Sequence, residues 1–298
     1  MTLAPRVVLV SRRTELDELL ARHGTAAQAA FFLSARGRDL DEVTARAEAA
    51  RAALTEVAAA IPRDWRRGSV QRADLDRFPF TPDDIVVVVG QDGLVANVAK
   101  YLDGQPVLGV DPEPGRNSGV LVPHRPAAVA ALLESLASGR AQLRRRTMVS
   151  AETDDGQVLH ALNELYVGHP THQSARYRLA VDGAVPERQS SSGVIVSTGT
   201  GATGWCASIV RTTASRVSMP APEEPALAWF VREAWPSPAT GVERTEGRLE
   251  DSDALRVMSE TDGLVVFGDG VEADRLVLAW GQSVALRVSP RRLCLVPE

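Results

Sequence analysis

One stretch constrains this chain more than any other: Ile85-Val86-Val87-Val88-Val89 followed directly by Gly90-Gln91-Asp92-Gly93. Five β-branched residues in a row suit a strand buried on both faces, as in a parallel sheet covered by helices. The Thr81-Pro82-Asp83-Asp84 turn signal in front of it marks where that strand starts. Beyond the glycines, Leu94, Val95, Val98, Ala99 and Leu102 share one helical stripe, and residues 107–110 give a second buried strand. Strand, glycine turn, helix, strand is a βαβ unit, and open sheets built from such units bind ligands outside the carboxyl ends of their strands.

The rest of the first half fits the same plan. Residues 7–10 form a short apolar run expected to be a strand, and Leu40, Val43, Ala47, Ala50, Leu54, Val57 and Ile61 recur at helical spacing. Residues 62–80 read as a polar, arginine-rich connection, and residues 111–119 as a proline- and glycine-rich loop. A helix carrying Val129, Leu132, Leu133 and Leu136 then ends near Gly139. From about residue 140 the texture changes to short apolar or alternating segments at 158–167, 177–181, 194–196, 227–231, 264–267, 276–280, 284–288 and 293–296. That half is expected to be mostly β. A length of 298 residues also favours two packed lobes, here 1–140 and 141–298.

Composition narrows the function. With 44% apolar and 24% charged residues and no long apolar run, a soluble, non-membrane protein is expected. A net charge of −5 argues against nucleic acid as the main partner. The one dense basic cluster, Arg144 to Arg146, reads as a solvated strand edge. Cys206 and Cys294 are too few for a disulfide framework, and with no secretory signal in MTLAPRVVLV the expected setting is the cytoplasm. His169 and His172 flank Pro170 like loop residues and form no metal cage.

At the candidate site, Gly90 and Gly93 let a phosphate approach the main chain, while Asp92 projects at the carboxyl end of the strand. The plainer alternative is a tight turn with Asp92 as a helix cap. What tilts the balance is a second segment, ALNELYVGHPTHQSARYRLAVDGAVPERQSSSGVIVSTGTGATGWCASI. It resembles the NAD kinase family: Asn163-Glu164 match that family's Asn-Glu pair, and residues 197–203 match its Ser-Thr-Pro-Thr-Gly-Ser-Thr loop. Gly90 to Gly93 fall where its Gly-Gly-Asp-Gly signature belongs, and GQPVLGVDPEPGRNSGVLVP looks like the mitochondrial-type branch. The resemblance spans roughly residues 80 to 290.

It implies a Rossmann-like α/β lobe, a β-rich dinucleotide-binding lobe, an active site in the cleft between them, and transfer of phosphate from ATP to the 2′-hydroxyl of the adenosine ribose of NAD. Asp92 would be the general base or the group that orients the hydroxyl, with Gly90, Gln91 and Gly93 at the donor phosphates. Asn163, Glu164, Thr200, Gly201, Thr203, Trp205, Ser208 and Asp269 would line the acceptor pocket. Residue by residue, a buried hydrogen-bonded Asn beside a surface Glu, and a Trp205 that is simply core, remain open. Mg²⁺ would be held chiefly by triphosphate oxygens and water, with no protein cage. Assembly as a homodimer or homotetramer is expected from the family.

Three positions depart from the pattern: Gln91 replaces the second glycine, Leu94 a threonine, and Gly199 the proline of the second loop. They leave the donor open, with polyphosphate or another triphosphate as choices. A kinase for another hydroxylated molecule (nucleoside, sugar or lipid) and a non-catalytic nucleotide-binding protein are the competing readings.

Overall fold

The structure is a computed structural model that describes residues 4–116, 119–181 and 183–298, so residues 117 and 118 of the expected 111–119 loop lie outside it. The chain divides into two compact units: residues 1–98, 105–144 and 294–298 form one, and residues 99–104 and 145–293 the other. These limits differ from a single cut at residue 140, because residues 99–104 count with the second unit and residues 294–298 return to the first.

The first unit runs β1 (Arg6–Ser11), α1 (Glu15–His23), α2 (Ala26–Ser34), α3 (Leu40–Ala60), β2 (Arg66–Gln71), β3 (Asp84–Val89), α4 (Asp92–Ala99), β4 (Pro106–Val110) and α5 (Val129–Ala137). Its sheet has the order β2-β1-β3-β4, every pair parallel. The β-branched run is β3, buried at all six positions. Ile85, Val87 and Val89 face a core shared with Val57 of α3, Ile61 just beyond it, and Val129 and Leu133 of α5. Val86 and Val88 point the other way and are equally buried, as expected for a strand covered on both sides. At the foot of β3, Asp84 is fully buried and takes two hydrogen bonds from Arg6, at 2.7 and 2.6 Å, and two from Thr81, at 2.7 and 2.8 Å.

Two expectations are corrected here. The arginine-rich connection contains an edge strand, β2, which pairs with β1 from Arg6↔Arg66 to Ser11↔Gln71. An edge strand joins through its backbone and needs little apolar surface; in β2 only Val70 is buried. The unassigned residues between β1 and α3 form α1 and α2, each opened by a threonine cap, Thr14 with a capping box and Thr25. Leu16, Leu19, Ala29 and Leu33 of these helices pack on Val43 and Ala47 of α3.

The second unit holds β5 (Arg144–Thr153), β6 (Val158–Ala161), β7 (Glu164–Gly168), β8 (Ala175–Val181), β9 (Glu187–Ser191), β10 (Val194–Ser197), α6 (Trp205–Thr213), β11 (Leu227–Val231), β12 (Glu246–Leu249), β13 (Ala254–Ser259), β14 (Leu264–Gly268), β15 (Arg275–Leu278) and β16 (Ser283–Leu295). The strands make two antiparallel layers. One runs β16-β13-β8-β9, with β5 between β16 and β6; the other runs β12-β11-β10-β7-β14-β15. Alternate residues of both meet in one core that includes Val149, Leu165, Tyr177, Val196, Leu227, Leu255, Val266 and Leu286. Helix α6 covers the outer face of the second layer through Cys206 and Ile209 against Ile195 and Phe230. The expected single segment 158–167 is two strands broken at Leu162-Asn163. The arginine cluster is not uniformly solvated either, because Arg146 is buried with Nη1 3.5 Å from Thr200 Oγ1. No helix of the described residues is long and apolar enough to cross a membrane.

Candidate functional site

In the first unit, strand order locates the candidate site. The connections from β1 and β3 depart to opposite sides of the sheet, so the carboxyl ends of these two adjacent strands flank the topological switch point. A cavity of about 120 Å³ lies there, lined by Arg12 and Arg13 after β1, Gly90 and Gln91 after β3, and Arg46 of α3. Glu15 and Glu113 also line it: Arg38 Nη1 is 2.5 Å from Glu15 Oε1, while Arg46 Nε lies 3.5 Å from Glu113 Oε2 and Arg116, which also pairs with Glu42, has Nη1 3.7 Å from Glu113 Oε1. The guanidinium hydrogen bonds and the charges of Arg38, Arg46 and Arg12 hold the Glu15 carboxyl below its ordinary range despite partial burial. The cavity is therefore cationic on balance, and no sequence motif announced Arg12, Arg13 or Arg46.

Asp92 is the first residue of α4, not the middle of a turn, and it is half-buried. Among the described residues its carboxylate bonds are made to another segment and not to its own helix. Oδ2 accepts the Val120 amide and Oδ1 the Leu121 amide, both at 2.9 Å. These bonds fix the direction of the carboxylate and tie the loop after residue 118 to the glycine turn, while each oxygen keeps a lone pair for another donor. Gly119 is part of that fit, since a Cβ there would lie 3.0 Å from Asp92 Oδ1. Leu94 is buried against the turn, with a methyl 3.0 Å from where a Gly90 Cβ would be. An apolar contact thus stands where a hydroxyl was expected.

The second unit brings the Asn-Glu pair and the Thr-Gly-Thr-Gly loop into one clasp. The Asn163 carbonyl accepts the Thr198 amide at 2.9 Å and Ser197 Oγ at 3.2 Å, and the Leu162 carbonyl accepts Thr198 Oγ1 at 2.6 Å. Thr198 Oγ1 in turn accepts the amides of Thr200 and Gly201 at 3.1 and 3.3 Å. Gly201 must be glycine, because a Cβ would meet the Asn163 carbonyl oxygen at 2.4 Å. Asp269 completes the clasp from β14's far end, accepting the Leu162 amide at 2.8 Å and the Asn163 amide at 2.7 Å. Its backbone sits in the left-handed region, φ 53°. The roles of Ser197 and Thr198 were missed; both lie inside the matched loop, but only the fold shows that they bind backbone.

Electrostatics sets this clasp apart. Burial, with the Asp269 charge adding to it, pushes the Glu164 carboxyl up to about 7. Burial also pushes Asp269 up to about 6, against the opposing effect of its two amide bonds and the Lys100 ammonium. Displacements of this size concentrate at functional sites. The remaining candidates gather at the start of α6: Thr203 and Ser208 are exposed, and Trp205 is 36% exposed. Trp205 stacks on Tyr166 with ring centroids 6.0 Å apart, and the Arg232 guanidinium lies 5.1 Å from its ring. It is an aromatic shelf at the surface, not core.

Comparison with known proteins finds relatives and a structural neighbour for the chain. No family model matches the chain. It is 36% identical over 133 residues to an NAD kinase of Acinetobacter baylyi, covering 42% of each chain. An NAD kinase of Methanoregula boonei is 28% identical over 193 residues, covering 63% of this chain and 68% of that one. The chain thus spans about two fifths of the length of the first curated relatives it matches. Among solved structures, yeast NADH kinase complexed with NADH superposes over 100% of this chain and 84% of its own, with a TM-score of 0.59 at 15% identity.

The fold is that of an NADH kinase. With it the expected architecture is established: an α/β unit on a parallel sheet and a mostly β unit.

Proposed function

We propose that this chain phosphorylates NAD at the 2′-hydroxyl of the adenosine ribose, with ATP as donor and NADP as product. The observation that carries the reading is the clasp of Asn163-Glu164, Thr198-Gly201 and Asp269, which assembles three separated sequence matches through backbone bonds. The similarity to NAD kinases supports it, as does the resemblance of residues 104–123 to the mitochondrial-type branch.

On this reading the donor triphosphate enters the cationic crevice beside Gly90 and Gln91, where Arg12, Arg13 and Arg46 supply guanidinium donors suited to phosphate. Mg²⁺ would arrive on phosphate oxygens and neutralise charge there; hard oxygen donors fit that ion. Asp92 orients the attacking hydroxyl, which is what a loose phosphoryl-transfer transition state chiefly requires. Asn163, Glu164, Thr200, Gly201 and Thr203 bind the dinucleotide, and Trp205 and Ser208 flank it. Buried Cys206 and Cys294 suit a reducing cytoplasm. Assembly into a homodimer or homotetramer is supported by exposed Val277 and Trp280 on and beside the edge strand β15, and light scattering in solution tests it.

The direct experiment is incubation of the protein with ATP, Mg²⁺ and NAD, following NADP. Asp92→Asn is expected to lower kcat by about a hundredfold, the scale of a lost orienting group, with little change in KM for NAD. Glu164→Gln or Thr200→Ala should instead raise KM for NAD. Retention of full turnover by Asp92→Asn would overturn the assignment. The buried Leu94 side chain lying on the donor turn favours one second reading, a protein that binds NAD without phosphorylating it. Calorimetric binding of NAD with no NADP formed from ATP, other triphosphates or polyphosphate would establish that alternative.

A further inference from the structure

A larger cavity, about 890 Å³, lies wholly within the second unit and is separate from the clasp. Its floor is the face of β5, β6 and β16 that looks away from the core. Along β16, Val284, Leu286 and Val288 enter the core, so Arg287, Ser289 and Arg291 lie on the opposite face. Along β5, Val149 and Ala151 enter the core and Ser150 lies opposite; along β6, Leu159 and Ala161 do so and His160 lies opposite. Ser150 and His160 are cross-strand partners in the ladder.

A polar sheet face of this kind ordinarily looks into solvent. Here Ser150, His160 and Ser289 are each at most 9% exposed, walled in partly by Lys100 and Tyr101, which close on Asp274 with contacts of 2.7 Å. That ion pair uses the Lys100 charge locally. His160 bonds Ser289 Oγ at 3.0 Å, and burial with the nearby Arg291 charge keeps its ring neutral down to about 4. Arg287 Nε and Arg292 Nη1 are shut off from solvent and have no hydrogen-bond partner among the described residues. Glu152 shares the Ser150 face of β5 but, like Asp251, is exposed, so both carboxylates stand towards the open side of the cavity.

Arg287 and Arg291 share the polar floor, Arg292 lines the cavity beside them, and two of the buried N–H groups of this set are unspent; planar N–H forks match oxyanions two bonds at a time. We propose that this cavity binds a small molecule carrying two or more oxyanion groups, an oligophosphate or a polycarboxylate, through Arg287, Arg291 and Arg292. Its volume admits a ligand up to nucleotide size. The site is independent of the kinase reading and stands or falls without it.

The test is isothermal titration of the full chain with pyrophosphate and, separately, with citrate, which distinguishes phosphate from carboxylate. Saturable binding of at least one is expected, weakening as salt rises and losing at least about tenfold in affinity in Arg291→Ala, the scale of one charge-assisted fork. Arg66→Ala, the same charge change on the exposed edge strand β2, should leave it unaltered. Thermal unfolding checks that each variant is folded, and Arg291→Lys, which keeps the charge but loses the fork, should show a smaller loss. No saturable binding of either probe overturns the proposal, as does an equal loss in Arg291→Ala and Arg66→Ala.

Discussion

Asp269 is worth most where it is least comfortable. Its carboxyl is buried, its backbone is left-handed, and it holds the two amides that set the direction of the Asn163-Glu164 corner. Replacing it with alanine removes a charge-assisted acceptor and leaves a residue ill suited to positive φ. Urea unfolding at pH 8 should show a loss of about 2–4 kcal/mol for Asp269→Ala and about half that for Asp269→Asn, which tolerates the backbone. Glu164 makes the opposite contribution. Its folded carboxyl titrates near 7, well above the ordinary value, so the native state holds a proton that the unfolded chain has released. Its ionisation therefore costs stability progressively as pH rises from about 4.5 to about 7. Glu164→Gln should flatten that slope and stabilise the protein by about 1–3 kcal/mol at pH 8, with the partial exposure of the group setting the lower end. If the variant and the parent melt alike at pH 5 and pH 8, the burial argument is wrong.

Among the elements, the loop after β10 shows why one departure from the family pattern belongs to this chain. Gly199 replaces the expected proline because the backbone of Pro220 and Ala221 presses on it: a Cβ would sit 2.3 Å from the Ala221 carbonyl oxygen. Pro220 and Ala221 belong to a stretch, residues 211–225, that had no role legible in sequence, and beyond α6 it runs behind this loop. There it is held by the Pro222 and Glu224 carbonyls, which accept the Thr147 amide and hydroxyl at 2.8 and 2.7 Å. Restoring the family's residue with Gly199→Pro is thus expected to destabilise by about 2 kcal/mol or more and to lower NAD affinity, measurable by thermal unfolding and calorimetry. The foot of the parallel sheet gives a second expectation. Arg6 and the fully buried Asp84 tie β1 to β3, and Arg6→Ala strands a buried carboxylate. Chemical denaturation should register a loss of about 3–5 kcal/mol. The elements readable in sequence were those with an unambiguous period, β3 and α3 above all. Strand β2 was not, because an edge strand advertises itself by backbone pairing, and α1 and α2 bury only two residues each.

On the scale of the whole molecule, fold class was legible because two textures, buried parallel strands and short alternating ones, divide the sequence. Only part of the site was legible. Asn163, Glu164, Thr200 and Gly201 advertise themselves by residue type, whereas the backbone-binding role of Thr198 and the place of Arg46 depend on neighbours far away in sequence. The net pH response is also a property of the whole. His160 is kept neutral to about 4, so the unfolded chain binds its proton first and stability falls as pH drops from about 6.5 towards 4. The Glu164 and Asp269 carboxyls act in the reverse sense over much of that range. His160→Gln should expose the carboxyl slope alone, with the thermal midpoint of the variant rising relative to the parent below pH 6.

Strand β16 ends in a different unit from the one in which it begins: Cys294 and Leu295 lie parallel to Pro106 and Val107 of β4, and the Val296 amide donates to the Val107 carbonyl at 2.9 Å. During synthesis, therefore, the earlier-made α/β portion emerges with one margin of its sheet bare and must wait for residues 294–296 to leave the ribosome before that margin is sealed. Until then β4 offers a nascent chain's open edge to any passing strand.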